Sequence, residues 1–121
     1  MTTKAELYLI VLQELEKLTG NVLKSAIVTS DGLLISSTAS KQIDNEAFAA
    51  YSAATFNHAR RTMQELSSEN IELLLFESKN HREIILRARD DALLIAMTNK
   101  DAQLGMVLME MQKAAFKIKQ L

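Results

Sequence analysis

IELLLFESKNHREIILRARDDALLIAMT, residues 71–98, is the stretch of the sequence that decides the fold. It contains three segments of strand-like composition, separated by two short polar turns, Ser78–His81 and Asp90–Asp91. Connections this short join strands that run antiparallel. Apolar side chains occupy alternate and also intervening positions, so both faces of the sheet are expected to be covered. The stretch therefore predicts three consecutive antiparallel strands, over Ile71–Glu77, Arg82–Arg89 and Ala92–Thr98.

The flanking segments complete the predicted order of elements. Thr3 as N-cap, Glu6 three residues later and Gly20 at the end are the signals of a helix over residues 3–19. The turn Ser30-Asp31-Gly32 predicts a hairpin. The order α-β-β-α-β-β-β-α then predicts an α/β sandwich, with one long helix on one face of a five-stranded antiparallel sheet and two helices on the other. The remaining elements are strands Val22–Thr29 and Leu33–Ser37, a helix from Asp44 to about Leu66 and a helix from Asp101 to Gln120.

The composition is that of a single globular domain spanning residues 1–121. Hydrophobic residues make up 48% of the chain, and 14 basic residues nearly balance 15 acidic ones. A net charge of −1 without a basic stripe argues against nucleic-acid binding. Charged residues such as Glu14 and Lys17 interrupt the apolar residues of the first segment, so no membrane insertion is expected. The expected location is the cytoplasm.

Residues suited to catalysis or metal binding are few. The chain has no cysteine and two histidines, His58 and His81, which excludes thiolate and three-imidazole zinc sites and thiol nucleophiles. The common nucleotide-binding, hydrolase and metalloprotease motifs are absent as well. His58 leaves acid–base chemistry as a minor alternative, but a polar contact on a helix is the simpler interpretation. The sequence predicts a protein that is not an enzyme and has no cofactor or metal.

The long helix has a stripe of small and polar residues opposite its expected sheet-facing side. That sheet-facing side is expected to contain Phe48, Ser52, Thr55, Phe56, Ala59, Met63 and Leu66. Small residues let a second helix approach closely, which favours a helix contact across a two-fold axis. The alternative is that alanine favours helix on an exposed face. The dimer residues predicted from the stripe are Ala47, Ala50, Ala54, Asn57 and Arg61.

The strand Ile71–Glu77 is a second candidate for self-association. If it forms an edge of the sheet, its unpaired backbone and its apolar residues Ile71, Leu73 and Leu75 favour pairing with a second copy. If it lies inside the sheet, both of its sides are already paired. The sequence does not decide between these two positions.

Two further groups of residues are candidates for partner binding. Positive charge is concentrated at Arg60, Arg82, Arg87 and Arg89, which suits a phosphate or an acidic partner, although solvated surface charge is the simpler interpretation. Met109 and Phe116 lie off the main apolar stripe of the last helix. They are candidates for contact with a larger partner, with packing against the first helix as the alternative.

Several short motifs occur in the order typical of one known family. They are the turn SDGLLISS at residues 30–37, the alanine-rich helix at residues 48–50, an arginine-bearing strand that leads into Asp91–Leu94, and Leu104-Gly105. Over nearly the whole chain, their order and spacing resemble the Roadblock domain family of dynein light chains and small-GTPase regulators. The resemblance implies a profilin-like sandwich that forms a homodimer through its central helix and a sheet edge, with one combined sheet.

The same resemblance implies a non-catalytic function. Roadblock domains act as platforms for Ras-like small GTPases or as light chains of the dynein motor. We therefore expect a homodimeric module that binds and regulates or scaffolds a Ras-like small GTPase. The alternative is a structural subunit of a larger assembly, such as a motor or scaffold, whose binding does not depend on the nucleotide state.

Overall fold

The structure is a computed structural model that describes residues 2–39 and 43–121. Within these residues, three helices and five strands follow one another in the predicted order. The profilin-like sandwich predicted from the sequence is confirmed. The elements are α1 (Lys4–Thr19), β1 (Val22–Thr29), β2 (Leu34–Ser37), α2 (Asn45–Ser67), β3 (Leu73–Glu77), β4 (His81–Arg89), β5 (Ala92–Asn99) and α3 (Leu104–Gln120).

Helix termini are set by the local signals that the sequence contains. The Thr3 side chain accepts a hydrogen bond of 3.1 Å from the backbone N–H of Glu6, and Gly20 ends α1 in the left-handed conformation with φ of 69°. At the start of α2, the Asp44 carboxylate accepts from the N–H of Ala47 at 2.8 Å. These caps satisfy backbone groups that the helices leave unpaired.

All five strands form one antiparallel sheet in the order β2, β1, β5, β4, β3. The hairpins β1–β2, β3–β4 and β4–β5 join neighbours in the chain, and pairing of β1 with β5 joins the two groups. As a result β3 lies at one edge of the sheet and β2 at the other. The position of strand 71–77, which the sequence did not decide, is an edge.

Each face of the sheet has its own apolar core. Helices α1 and α3 lie side by side over one face, where Tyr8, Leu12 and Met111 pack with strand residues such as Ile27 and Ile84. The single helix α2 covers the other face. Its core contains Phe48, Ala49, Ala53 and Phe56 from the helix and Ala26, Val28, Ile85, Leu93 and Ile95 from the strands. The predicted division into one helix and two helices is confirmed.

The predicted sheet-facing side of α2 is right for the first half of the helix and wrong for the second. Buried helix residues end at Phe56, whereas Thr55, Met63 and Leu66 are exposed. The reason is the length of the helix. Phe56 already lies at the end of β4, against Arg87, so the following turns extend past the end of the sheet.

Candidate functional site

The edge strand β3 is the most exposed part of the sheet. It pairs with β4 from Leu73 opposite Leu86 to Glu77 opposite Arg82, and its other side has no strand partner within the described chain. Leu73 and Phe76 remain 37% and 40% exposed. Such an apolar edge with free backbone groups is a template for pairing with another strand.

The predicted edge residues Ile71, Leu73 and Leu75 do not share one face. Strand β3 begins at Leu73, two residues later than predicted, and a bend at Glu72 separates Ile71 from it. Ile71 packs against the core under α2, together with Leu74. Leu75 packs against the opposite core, under α1 and α3. The edge therefore has apolar side chains on both faces of the sheet.

One side of α2 is occupied by the β1–β2 turn. The side-chain amide of Asn57 donates a hydrogen bond of 2.9 Å to the backbone carbonyl of Ser30. Gly32 in the same turn lies so close that a Cβ there would be 3.3 Å from the Cα of Ala50. Ala50 and Asn57, two residues of the predicted dimer stripe, therefore border this turn. Of the others, Ala47 is half-buried, and Ala54 and Arg61 are exposed.

The opposite side of α2 faces β4 and the open edge beyond it. Ser52 and Phe56 contact β4 on this side, through Glu83 and Arg87. At 100° per residue, Ala59, Met63 and Leu66 continue the same side of the helix. Leu66 is 80% exposed. An apolar strip of α2, formed by Ala59, Met63 and Leu66, thus lies on the same side of the molecule as the apolar edge strand. The helical spacing of these three residues is the feature of the sequence that indicates the strip.

A buried carboxyl group joins α2 to β4. Glu83 is 7% exposed, and its Oε2 accepts a hydrogen bond of 2.5 Å from the Ser52 hydroxyl. Burial raises the pKa of Glu83 above its ordinary value, and the hydrogen bond from Ser52 offsets part of this effect. Its neighbours across the sheet are Phe76 and Met97, so no cation faces it from the adjacent strand positions.

The structure does not bring the four predicted arginines together. Arg82 is buried, pairs with Glu77 at 2.8 Å and donates to the backbone carbonyl of Ala102, so it has a structural role. Arg87 lies over the ring of Phe56 on the α2 side, near exposed Arg60, and the two line one small cavity. Arg89 lies over the ring of Tyr8 on the opposite face.

A bulge in β4 separates Arg87 from Arg89. The pairing with β5 shifts between them, because Arg87 is opposite Leu93 and Arg89 is opposite Ala92. Residues two apart in a regular strand share a face, and one extra residue reverses this. The predicted patch of positive charge is therefore divided between two faces.

Met109 and Phe116 lie on exposed positions of α3, 48% and 65% exposed. They belong to the layer of α1 and α3, on the other side of the sheet from α2. Residues 2–39 and 43–121 contain no group of three His, Cys, Asp or Glu side chains that could hold a metal ion. None of the helices in these residues is long and apolar enough to cross a membrane.

Comparison with known proteins identifies a matching domain family and proteins of similar sequence and structure. Residues 7–98 match the model of the Roadblock/LC7 domain. Three uncharacterised proteins of Methanocaldococcus jannaschii are each 32% identical over 109 residues, covering 90% of this chain and 91%, 94% and 94% of their own lengths.

The structural neighbours have the same fold at low sequence identity. An MglB with a tetrameric arrangement superposes with a TM-score of 0.90 at 18% identity, over 99% of this chain and 90% of its own. The gliding protein MglB of Thermus thermophilus has a TM-score of 0.89 at 17% identity, over 99% and 91%. Profilin II of Acanthamoeba castellanii has a TM-score of 0.64 at 18% identity, over 93% and 97%.

Proposed function

Because the chain belongs to the Roadblock/LC7 domain family, we propose that it is a cytoplasmic, non-catalytic homodimer that binds and regulates or scaffolds a Ras-like small GTPase. The observation that carries the proposal is the open edge of β3 beside the apolar strip of α2. Both features are surfaces for protein contact, and neither supplies a nucleophile, an acid–base pair or a metal site.

Self-association is supported by the geometry of this side of the molecule. Two copies related by a two-fold axis place β3 against β3, which continues the sheet from one subunit into the other. The same axis brings the two α2 helices toward each other on one side of the joined sheet, with their last turns extending past its ends. Ala59, Met63 and Leu66 then lose contact with water, as do Leu73 and Phe76 of the edge. The tetrameric arrangement of the structural neighbour MglB supports self-association of this fold.

The outer face of α2 is the surface we assign to the GTPase. Tyr51 is 76% exposed there, Ala54 in the next turn is also exposed, and exposed Arg61 lies about 15 Å further along the helix axis. A helix face with an exposed aromatic side chain, small residues and an arginine further along has the composition of a protein-binding surface. In the proposed dimer this face points away from the sheet and stays accessible on both subunits.

The direct test is binding to the Ras-like GTPases of the same organism, loaded with GDP or with a non-hydrolysable GTP analogue. Titration calorimetry is expected to show at least a tenfold difference in affinity between the two nucleotide states, about 1.4 kcal/mol. Tyr51→Ala is expected to weaken binding by a similar factor. Phe116→Ala removes a side chain of comparable exposure from the opposite layer and is the matched control.

The two alternatives give different results. Binding with equal affinity in both nucleotide states would replace the regulatory function with that of a structural subunit. Absence of binding to every GTPase of this class would contradict the proposal. Equal loss from Tyr51→Ala and Phe116→Ala would contradict the assignment of the binding face.

A further inference from the structure

A cavity of about 720 Å³ lies between the last turns of α3 and the end of β4. It exists because β3 begins opposite Leu86, so that the last residues of β4, which pair with β5 on one side, have no strand on the other. One backbone hydrogen bond, from the N–H of Arg87 to the carbonyl of Glu72, is formed across this gap. The volume of the cavity is in the range of pockets that hold small molecules.

Arg89, which lines the cavity, has an unused hydrogen-bond donor. Its Nε is buried and makes no hydrogen bond within the described chain. The nearest carboxylate oxygen, Asp91 Oδ1, is 3.4 Å away without the geometry of a hydrogen bond. The guanidinium lies 5.7 Å from the ring centroid of Tyr8, whose buried hydroxyl is also without a partner. Buried donors are rarely left unpaired, so an acceptor is missing from this corner.

The charges around the cavity differ in their exposure to water. The side chain of Arg89 is 25% exposed, whereas those of Glu72 and Asp91 are 73% and 82% exposed. The guanidinium of Arg87 lies over Phe56 on the other face of the sheet. Asp90, the third acidic residue of the lining, is exposed as well. Solvated carboxylates are screened more strongly than half-buried guanidinium groups. The guanidinium of Arg89 is therefore the least screened charge of the lining.

An apolar wall stands beside these donors. Phe116 is 65% exposed and lines the cavity with Ala115, and Gln112 and Lys119 of the same helix add further polar groups. We propose that this cavity binds a ligand that carries a single carboxylate or phosphate group next to an apolar group. The oxyanion accepts from Arg89, with Lys119 at the rim, and the apolar group lies on Phe116. This site does not depend on the proposed function, because it lies in the layer opposite α2.

The test follows the side-chain Nε–Hε signal of Arg89 by NMR during titration. The first probe is 3-phenylpropionate, and its neutral amide, 3-phenylpropionamide, is the matched control. A saturable shift of the Arg89 signal is expected with the acid and none with the amide. Inorganic phosphate is expected to give the same direction of shift with weaker binding, because it lacks the apolar group. The chloride concentration and the ionic strength are the same in every titration.

Two peptides, used as additional probes, distinguish a protein terminus from a small molecule as the source of the oxyanion. Ala-Ala-Phe with a free carboxylate represents a protein C-terminus, and its amidated form is the control. Binding of the free peptide more than tenfold tighter than 3-phenylpropionate supports the site and assigns it to a protein terminus. The reverse ranking supports the site and assigns it to a small molecule.

Substitutions complete the test with the whole chain. Phe116→Ala, at an exposed position, is expected to weaken binding of 3-phenylpropionate at least fivefold. Arg89→Lys is expected to weaken it at least tenfold, since lysine keeps the charge but loses the planar guanidinium group with its several donors. Lys113→Ala on the same helix lies outside the cavity and is expected to leave binding unchanged. No saturable shift with either 3-phenylpropionate or phosphate, or equal binding of the acid and the amide, would overturn the proposal.

Discussion

The two edges of the sheet, β2 and β3, differ in how far they are covered. Strand β2 has four residues, both α1 and α2 pack against it, and the Ser36 hydroxyl donates to the carbonyl of Ala5 in α1. Its pairing with β1 is also irregular, between Ile27 and Val28. Strand β3 has five residues in regular register, and no helix packs extensively against it.

This difference indicates which edge is used for association. Short length, irregular pairing and a covering helix are the means by which proteins prevent strand addition. Edge β2 has all three, and edge β3 has none of them. Apolar residues on both faces of β3, including Leu73 and Phe76, add surface that a second copy would bury.

The largest expected effect comes from a charge at the open edge. Leu73 and Leu34 are the first residues of β3 and β2 and are 37% and 36% exposed. Leu73→Lys is expected to raise the dissociation constant of the dimer roughly a hundredfold, ~3 kcal/mol. Each subunit loses a leucine that the dimer buries and places an ammonium group in the interface. Sedimentation equilibrium measures this constant.

Leu34→Lys is the matched control for the other edge. It changes the same residue type at the same exposure, so effects on solubility and charge are equal. The dimer is expected to keep its dissociation constant. If Leu34→Lys dissociates the dimer and Leu73→Lys does not, association occurs through β2 and the comparison of edges is wrong.

A smaller effect is expected at the turn that holds the covered edge. Gly32 has φ of 92°, and a Cβ there would lie 3.3 Å from the Cα of Ala50. Gly32→Ala is expected to lower the free energy of unfolding by about 1–3 kcal/mol, from backbone strain and from displacement of α2. Gly105→Ala, where an added Cβ meets nothing within 4 Å, is the control and is expected to raise stability by up to ~1 kcal/mol. Denaturant unfolding that finds both variants equally stable would contradict this account.

Most of the fold could be predicted from the sequence, but the edges could not. Hairpins β1–β2, β3–β4 and β4–β5 follow from short turns such as Asp90–Asp91, which act locally. Which strand joins the two groups depends on packing between distant segments. Pairing of β2 with β3 satisfies the same hairpins and places β3 inside the sheet. The observed pairing of β1 with β5 makes β3 an edge.

The candidate site was predicted less completely because single-residue irregularities change which face a side chain occupies. The bulge between Arg87 and Arg89 divides a patch that regular alternation keeps together. The bend before Leu73 turns Ile71 to the face opposite that of Leu75. On α2, periodicity identified the apolar side, and the end of the sheet decided that Leu66 is exposed.

The smallest expected effect concerns Glu83, on the strand next to the open edge. Burial raises the pKa of its carboxyl group in the folded protein above its value in the unfolded chain. The unfolded chain therefore ionises first as the pH increases, and the folded state loses stability from the unfolded pKa, about 4.3, up to the folded pKa. The stability of Glu83→Gln relative to the wild type is expected to be greater at pH 7 than at pH 4, because glutamine does not ionise and its amide oxygen can still accept from Ser52.

The measurement is denaturant unfolding of both proteins at pH 4 and pH 7 and at one protein concentration, since dimerisation shifts apparent stability. Taking the difference between variant and wild type cancels the titration of all other groups. Glu69→Gln, at an exposed position between α2 and β3, is the control, because its carboxylate is in water in both states. The effect is the smallest of the three because the hydrogen bond from Ser52 opposes the cost of burial. A Glu83→Gln variant that loses stability relative to the wild type between pH 4 and pH 7 would mean that the ionised carboxylate is favoured in the folded protein, and that a cation faces it across the β3 side.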